Sequence, residues 1–213
     1  MPANIGSASP IGTFPNMTYL AMSKVSEWQT SVSQYPDGSS QRYSIPATAP
    51  RVRFKLRAKL GAGESVANGA IGTGTPDLTS ASNPWVAADA GKAISVAGAG
   101  ASGRPLVTYI LTYVSAGAVT LGANAGTTVA AAETIWSTTG NPPMGVLKAL
   151  HTACRGRHGA LLFYWPWDRT VPFSYDPSGT ELDGRYTVRW DSDFREEWNL
   201  SRGELEIELV EID

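Results

Sequence analysis

One cysteine, Cys154, and two histidines, His151 and His158, are all that 213 residues offer of the soft ligands from which disulfides and most metal centres are built. A lone thiol excludes an internal disulfide, which fits assembly in a reducing compartment. The three residues read H-x-x-C-x-x-x-H, yet a structural zinc site takes four ligands, and the first two sit on or beside the apolar face of a predicted helix. No metal and no cofactor is expected. The longest apolar stretch, around residues 106–114, is interrupted by Thr and Tyr and is far shorter than the roughly 20 residues that cross a bilayer. A soluble chain without a membrane span is expected. The opening MPANIGSASPIGTFP has neither a basic start nor an apolar core, so it does not read as a secretory leader. A net charge of −2 leaves no electrostatic footprint for nucleic-acid binding by the whole chain. The stretches GAGASG and GTGT share only glycine content with phosphate loops, since no Lys-Ser/Thr follows and no strand-to-helix context surrounds them.

Charge is scarce in the middle of the chain. Residues 61–140 hold two Lys/Arg and four acids, against seven and two in residues 1–60 and eight and thirteen in residues 141–213. The middle is also dense in Ala, Gly, Ser and Thr, a composition shift that marks a separate unit. Within it AISVAG, PLVTYILTYVSAGAVTLGA and TTVAAAETIW carry β-branched and aromatic residues between glycine-rich punctuation, the pattern of short strands and tight turns. Residues 64–140 are therefore expected to form an inserted small β-module, and residues 1–63 and 141–213 a discontinuous main domain.

Two alternating runs sit at opposite ends of that main domain. In RVRFKLRAKL (51–60), Arg51, Arg53, Lys55, Arg57 and Lys59 fall on one strand face and Val52, Phe54, Leu56, Ala58 and Leu60 on the other. In ELEIELVEI (204–212), Glu204, Glu206 and Glu208 alternate with Leu205, Ile207 and Leu209. Antiparallel pairing of the two in one sheet sets cations against carboxylates, each cross-strand pair contributing roughly 0.2–1 kcal/mol. That is too little to drive folding but enough to favour one register. The same charges can alternatively meet across a head-to-tail subunit interface, or the glutamates can line a channel and repel passing DNA.

One helix is expected, capped by Asn141, with Pro142 and Pro143 in its first turn, an apolar stripe through Met144, Leu147, His151 and Cys154, and an end near Gly156 and Gly159. The aromatic run LLFYWPW and the alternating YTVRW (186–190) read as strands. The fold class is α+β, mainly antiparallel β, with a sandwich or split-barrel main domain.

The carboxylates Asp168, Asp176, Glu181, Asp183, Asp191, Asp193, Glu196 and Glu197 could supply the acid and nucleophile of a glycosidase. Several, however, stand in DPSG, LDG and DSD contexts where Asp caps its own backbone. No oxyanion hole accompanies Cys154. An enzyme is not expected. A carbohydrate-binding alternative rests on Trp85, Tyr109, Tyr113 and Trp136 of the insert as possible glycan contacts, with Trp165 and Trp167 as counterparts in the main domain. Aromatics in small β-modules more often fill the core.

Four segments in a fixed order resemble a known family. SQYPDGSSQRY (33–43) before the RVRFKL strand, then the helix, RGRHGALLFYWPWD (155–168), and YTVRWDSDFREEWNLSRGELEIELVEI together resemble the distal tail and minor tail proteins of long-tailed bacteriophages and gene transfer agents. The likeness covers roughly residues 14–60 and 141–213, and each segment alone is only a turn or an alternating strand. The insert departs from the family, where a short loop is usual; NPWVAADAGKAISVAGAGASGRPLVTYI (83–110) is similar to small β-modules of tail spikes and fibres. The resemblance implies a structural virion protein assembled in the host cytoplasm, a ring of six copies that joins the tail tube protein to the tail hub and host-recognition apparatus. DNA would meet it only by passing through the tail channel, and a host surface glycan only through the insert. It also implies that the Asp37-Gly38 turn lies at a hairpin or ring contact, with Gln41 and Arg42 making polar contacts within or between subunits.

Overall fold

The computed structural model describes residues 10–27, 30–34, 40–44, 51–168, 176–191 and 203–212. Its strands in chain order are β1 (Tyr19–Glu27), β2 (Thr30–Gln34), β3 (Ser40–Ser44), β4 (Arg51–Lys59), β5 (Gly63–Ile71), β6 (Asp77–Ser80), β7 (Ala93–Val96), β8 (Leu106–Ser115), β9 (Ala118–Leu121) and β10 (Val129–Ser137). The helix α1 (Met144–Ala153) follows, then β11 (Leu161–Tyr164), β12 (Arg185–Trp190) and β13 (Glu204–Glu211). The fold is α+β and mainly antiparallel β.

Both chain ends contribute to a five-stranded sheet of order β1-β4-β13-β12-β11, and β2 and β3 pair as a separate two-stranded sheet. The five-stranded sheet is strongly rolled. Phe54 on β4 and Phe163 on β11 are three strand intervals apart, about 14 Å in a flat sheet at ordinary spacing. Their ring centroids nevertheless lie 5.1 Å apart. The concave side holds Val52, Phe54, Leu56 and Ala58 of β4 together with Leu205, Ile207 and Leu209 of β13, as their alternation requires. Leu147, Leu150 and Cys154 of α1 close this core.

The β5–β10 segment forms a second body, a six-stranded barrel of order β10-β5-β6-β9-β8-β7 that β7–β10 pairing closes. Its interior is Ile71, Leu78, Trp85, Ile94, Val96, Ile110, Val119, Leu121 and Trp136. Closure removes the open edges that a free sheet of this apolar, charge-poor sequence would expose. Two shifts of register along β8 fall at Ile110/Thr112 and Tyr113/Ser115. The extra residues there, Leu111 and Val114, are exposed, as bulge residues taken out of the ladder can be.

The two bodies meet at a pinch. The Gly61 N–H donates to the Pro142 carbonyl at 3.0 Å, and the Thr138 N–H to the Ala62 carbonyl at 3.0 Å, so the chain enters and leaves the barrel side by side. A Cβ on Gly61 would stand 1.9 Å from the Asn141 carbonyl oxygen; only glycine permits that approach. The expected cap is corrected here. The residue before the first helical turn is Pro143, which makes no side-chain cap, while Asn141 Oδ1 accepts the Thr18 backbone N–H at 2.7 Å. Pro142 and Pro143 hold the approach extended, and Asn141 joins the helix entrance to the start of β1. The α1 helix lies between the bodies. Gly145 abuts Ile135 of the barrel, and Arg104 Nη1 from the barrel donates at 2.9 Å to the Ala153 carbonyl at the helix C-terminus, where a cation complements the helix dipole.

Candidate assembly surface

The convex face of the rolled sheet carries the charged residues of β4 and β13. Their strands pair antiparallel, with Lys59 opposite Glu204, Arg57 opposite Glu206, Lys55 opposite Glu208 and Arg53 opposite Val210. On the other flank of β4, Ala21, Ser23 and Val25 of β1 stand opposite Arg57, Lys55 and Arg53, and Glu27 stands opposite Arg51. Lys55 and Arg57 thus have neutral neighbours on one side and carboxylates on the other.

Contacts do not follow the register one to one. Lys55 Nζ lies 2.9 Å from Glu208 Oε1, directly across the ladder. Hydrogen bonding to Glu208, with its charge, lifts the Lys55 pKa above the ordinary lysine value. Arg57 instead reaches diagonally to Glu204, its Nε donating to Oε2 at 2.9 Å and its Nη2 to the same oxygen. Arg53 turns toward Asp191 after β12, Nη1 to Oδ2 at 2.8 Å. This arrangement leaves Glu206 and Lys59 exposed and without an ion pair among the described residues. The side chain of Arg51 lies outside the described residues, although its backbone pairs with Glu27. Asp37 and Gly38 also lie outside them. Gln41 and Arg42 belong to β3, opposite Ser33 and Val32, and only their backbone is described.

The two edges of the sheet differ. Beyond β11 the chain segment 11–14 lies alongside: the Ile11 N–H donates to the Ala160 carbonyl at 2.8 Å, and the Phe14 N–H to the Leu162 carbonyl at 2.7 Å. Beyond β1 no strand pairs among the described residues, and exposed Leu20 and Val25 stand on that strand. Leu20 is the extra residue at a register shift between Tyr19 and Ala21.

A polar cluster that composition does not announce sits across the gap in the roll. Lys24 Nζ donates to the Tyr186 hydroxyl oxygen at 2.6 Å and to Asp168 Oδ2; the Tyr186 hydroxyl donates to the same carboxylate oxygen. Burial works against the ionised forms of Lys24 and Asp168, but their mutual hydrogen bonds outweigh it, raising the Lys24 pKa and lowering that of Asp168. Burial and the bond to Asp168 raise Tyr186. The only sequence signal for this cluster is Lys24 at an inward position, opposite Phe54.

The insert aromatics are placed differently from a glycan platform. Trp85 and Trp136 are each 1% exposed inside the barrel, with ring centroids 6.2 Å apart, and Tyr113 packs against the same core. The two tryptophans fill the barrel and cannot stack on a sugar, which corrects their candidacy. Tyr109 lines a cleft between barrel and sheet. In the main domain Trp165 is buried, whereas Trp167 is 68% exposed and rests against it at 5.1 Å.

Of the glycosidase candidates among the described residues, Asp168, Asp176, Glu181 and Asp191 make structural contacts. Asp176 accepts the backbone N–H groups of Ser178, Thr180 and Glu181, each at 2.8 Å, together with both hydroxyls. Despite the opposing cost of burial, these donors hold its carboxyl far below the usual range. Asp168 and Asp191 are ion-paired; Asp193, Glu196 and Glu197 lie outside the described residues. Burial pushes the Cys154 thiol up to about 11, so it stays protonated at neutral pH. No three His, Cys, Asp or Glu side chains among the described residues gather as a metal site. No described helix is long and apolar enough to cross a membrane. A scan against protein-family models finds no match, and a search of curated proteins finds no relative.

Proposed function

We propose that this chain is a non-enzymatic structural component of a bacteriophage tail tip. It assembles with copies of itself into a ring that joins the tail tube protein to the tail hub, in the virion tail, after synthesis in the host cytoplasm. Six copies are what the resemblance to distal tail proteins implies. The observation that carries the reading is the ordered set of family-like segments, together with the rolled sheet to which several of them contribute the strands β4, β11, β12 and β13.

The geometry supports an assembling body in three ways. One edge of the sheet is covered by the chain and the other, β1, bears exposed Leu20 and Val25, an asymmetry suited to head-to-tail contact between copies. Glu206 and Lys59 are exposed on the convex face with opposite charges free for a neighbour. The barrel leaves the sheet through one pinch, so it can project from a ring without interrupting it. Immunogold labelling of intact particles tests this reading. Label at the tail tip is expected; label on the capsid, or found only in a particle-free fraction, would overturn it.

A further inference from the structure

The cleft between barrel and sheet has a volume of about 500 Å³, within the range of small-molecule sites at the junction of two bodies. Its walls come from the barrel, from the segment that covers the β11 edge, and from loop 177–178. Tyr109 lies in it with its ring laid across Gly122. A Cβ on that glycine would stand 2.2 Å from Tyr109 Cε1, so the bare backbone is what allows the ring to rest there.

Uncharged polar residues share the cleft with the ring. Thr13, Asn16 and Tyr109 line it, and none of these three side chains has a hydrogen-bond partner among the described residues. The one cation among the described wall residues, Lys92, is already committed: its Nζ lies 3.0 Å from Asp89 Oδ1 and 2.9 Å from the Thr138 carbonyl. Among the described residues a phosphate or carboxylate would find no free positive charge in the wall. A peptide strand would find no free edge on β8, which is paired on one side with β7 and on the other with β9.

An aromatic ring accompanied in one cleft by neutral donors and acceptors fits a ligand with an apolar C–H face and hydroxyls at its rim. We infer that this cleft binds a short neutral saccharide, with Tyr109 as the stacking platform and Asn16 and Thr13 as hydrogen-bonding partners. The inference does not rest on the tail-tip reading.

Saturation-transfer NMR on the full chain tests it. The probes are neutral hexose and N-acetylhexosamine oligosaccharides, with sialylated and phosphorylated sugars as charged counterparts. At least one neutral probe is expected to bind. Tyr109→Ala should weaken it by about tenfold or more, Tyr109→Phe should retain most of the affinity, and Asn16→Ala should weaken it several-fold. Trp167→Ala, at an exposed ring away from the cleft, should leave it unchanged. Should Tyr109→Ala fail to melt cooperatively, Asn16→Ala and Thr13→Val decide. Absence of binding to every neutral probe, preference for the charged sugars, or affinity unchanged in the folded cleft variants would overturn the inference.

Discussion

Lys24 and Asp168 belong to opposite margins of the same sheet and are bonded to each other across the gap. Lys24 stands on the edge strand β1, Asp168 follows the edge strand β11, and Tyr186 joins both from β12. With Phe54 also touching Trp165 and Tyr186, this clasp holds the sheet as a roll. Removing it by Lys24→Met should lower stability by about 1 kcal/mol, the upper end for partly exposed ion pairs because three groups share the contact while solvent screens it. A fall in the denaturant midpoint at unchanged slope checks this.

The same clasp gives a pH dependence. Asp168 has a lowered pKa, so its contribution is complete above the ordinary value of 3.8 and lost as pH falls through the depressed one. Lys24 has a raised pKa, so its contribution is complete below 10.5 and lost as pH rises through the elevated one. The difference in melting temperature between wild type and Lys24→Met should therefore be flat around neutrality and shrink at both extremes. A difference that grows in acid would contradict the clasp.

Charge reversals on β13 should be unequal. Glu204→Lys breaks the bond to Arg57 and should cost about 0.5–1 kcal/mol, part of it recovered by adding Arg57→Glu. Glu206→Lys should cost the isolated chain less, because Glu206 makes no ion pair among the described residues. Its effect should appear in assembly. Chemical denaturation of the single and double variants measures the first difference, and ring yield the second.

How much of this was legible in sequence depended on whether alternation stayed intact. The strand β4 alternates from Val52 to Lys59 and β13 from Glu204 to Leu209, and so do their buried and less buried sides, until Leu209 and Val210 are buried in succession. β1 was missed, because the extra residue Leu20 breaks the alternation and Lys24 occupies an inward position that normally belongs to an apolar side chain. Its charge is accommodated only by partners more than a hundred residues away. The extra residues Leu111 and Val114 likewise blur the faces of β8. Trp85 and Trp136 carry no local mark of their inward direction, which barrel closure decides. Asn141 reads as a cap in sequence, but its acceptor serves Thr18, a partner that only tertiary structure supplies.

Barrel excision should leave a folded main domain. The backbone bond between Gly61 and Pro142 places the cut ends together, so a short Gly-Ser joint in place of residues 64–140 spans them. The barrel side of α1, including the Arg104 contact to Ala153, would be lost, and a lower melting temperature with retained cooperativity is expected. Calorimetry showing no cooperative transition would mean that the sheet needs the barrel to fold.

At the same pinch, Gly61→Ala should destabilise the intact chain by about 1–3 kcal/mol, since its Cβ meets backbone that cannot rotate aside. Gly140→Ala, where a Cβ meets nothing within 4 Å, is the matched control. Equal melting temperatures for the two variants would contradict the close approach.

The tail-tip reading is tested most directly by an electron cryomicroscopy map of the intact virion tail. The account predicts rolled-sheet bodies joined side by side in a closed ring at the distal end of the tube, with the barrels projecting from it. A ring of other than six copies would correct only the stoichiometry. Density for this chain in the capsid, or a tail tip whose ring is built from another protein with this chain absent, would contradict the account.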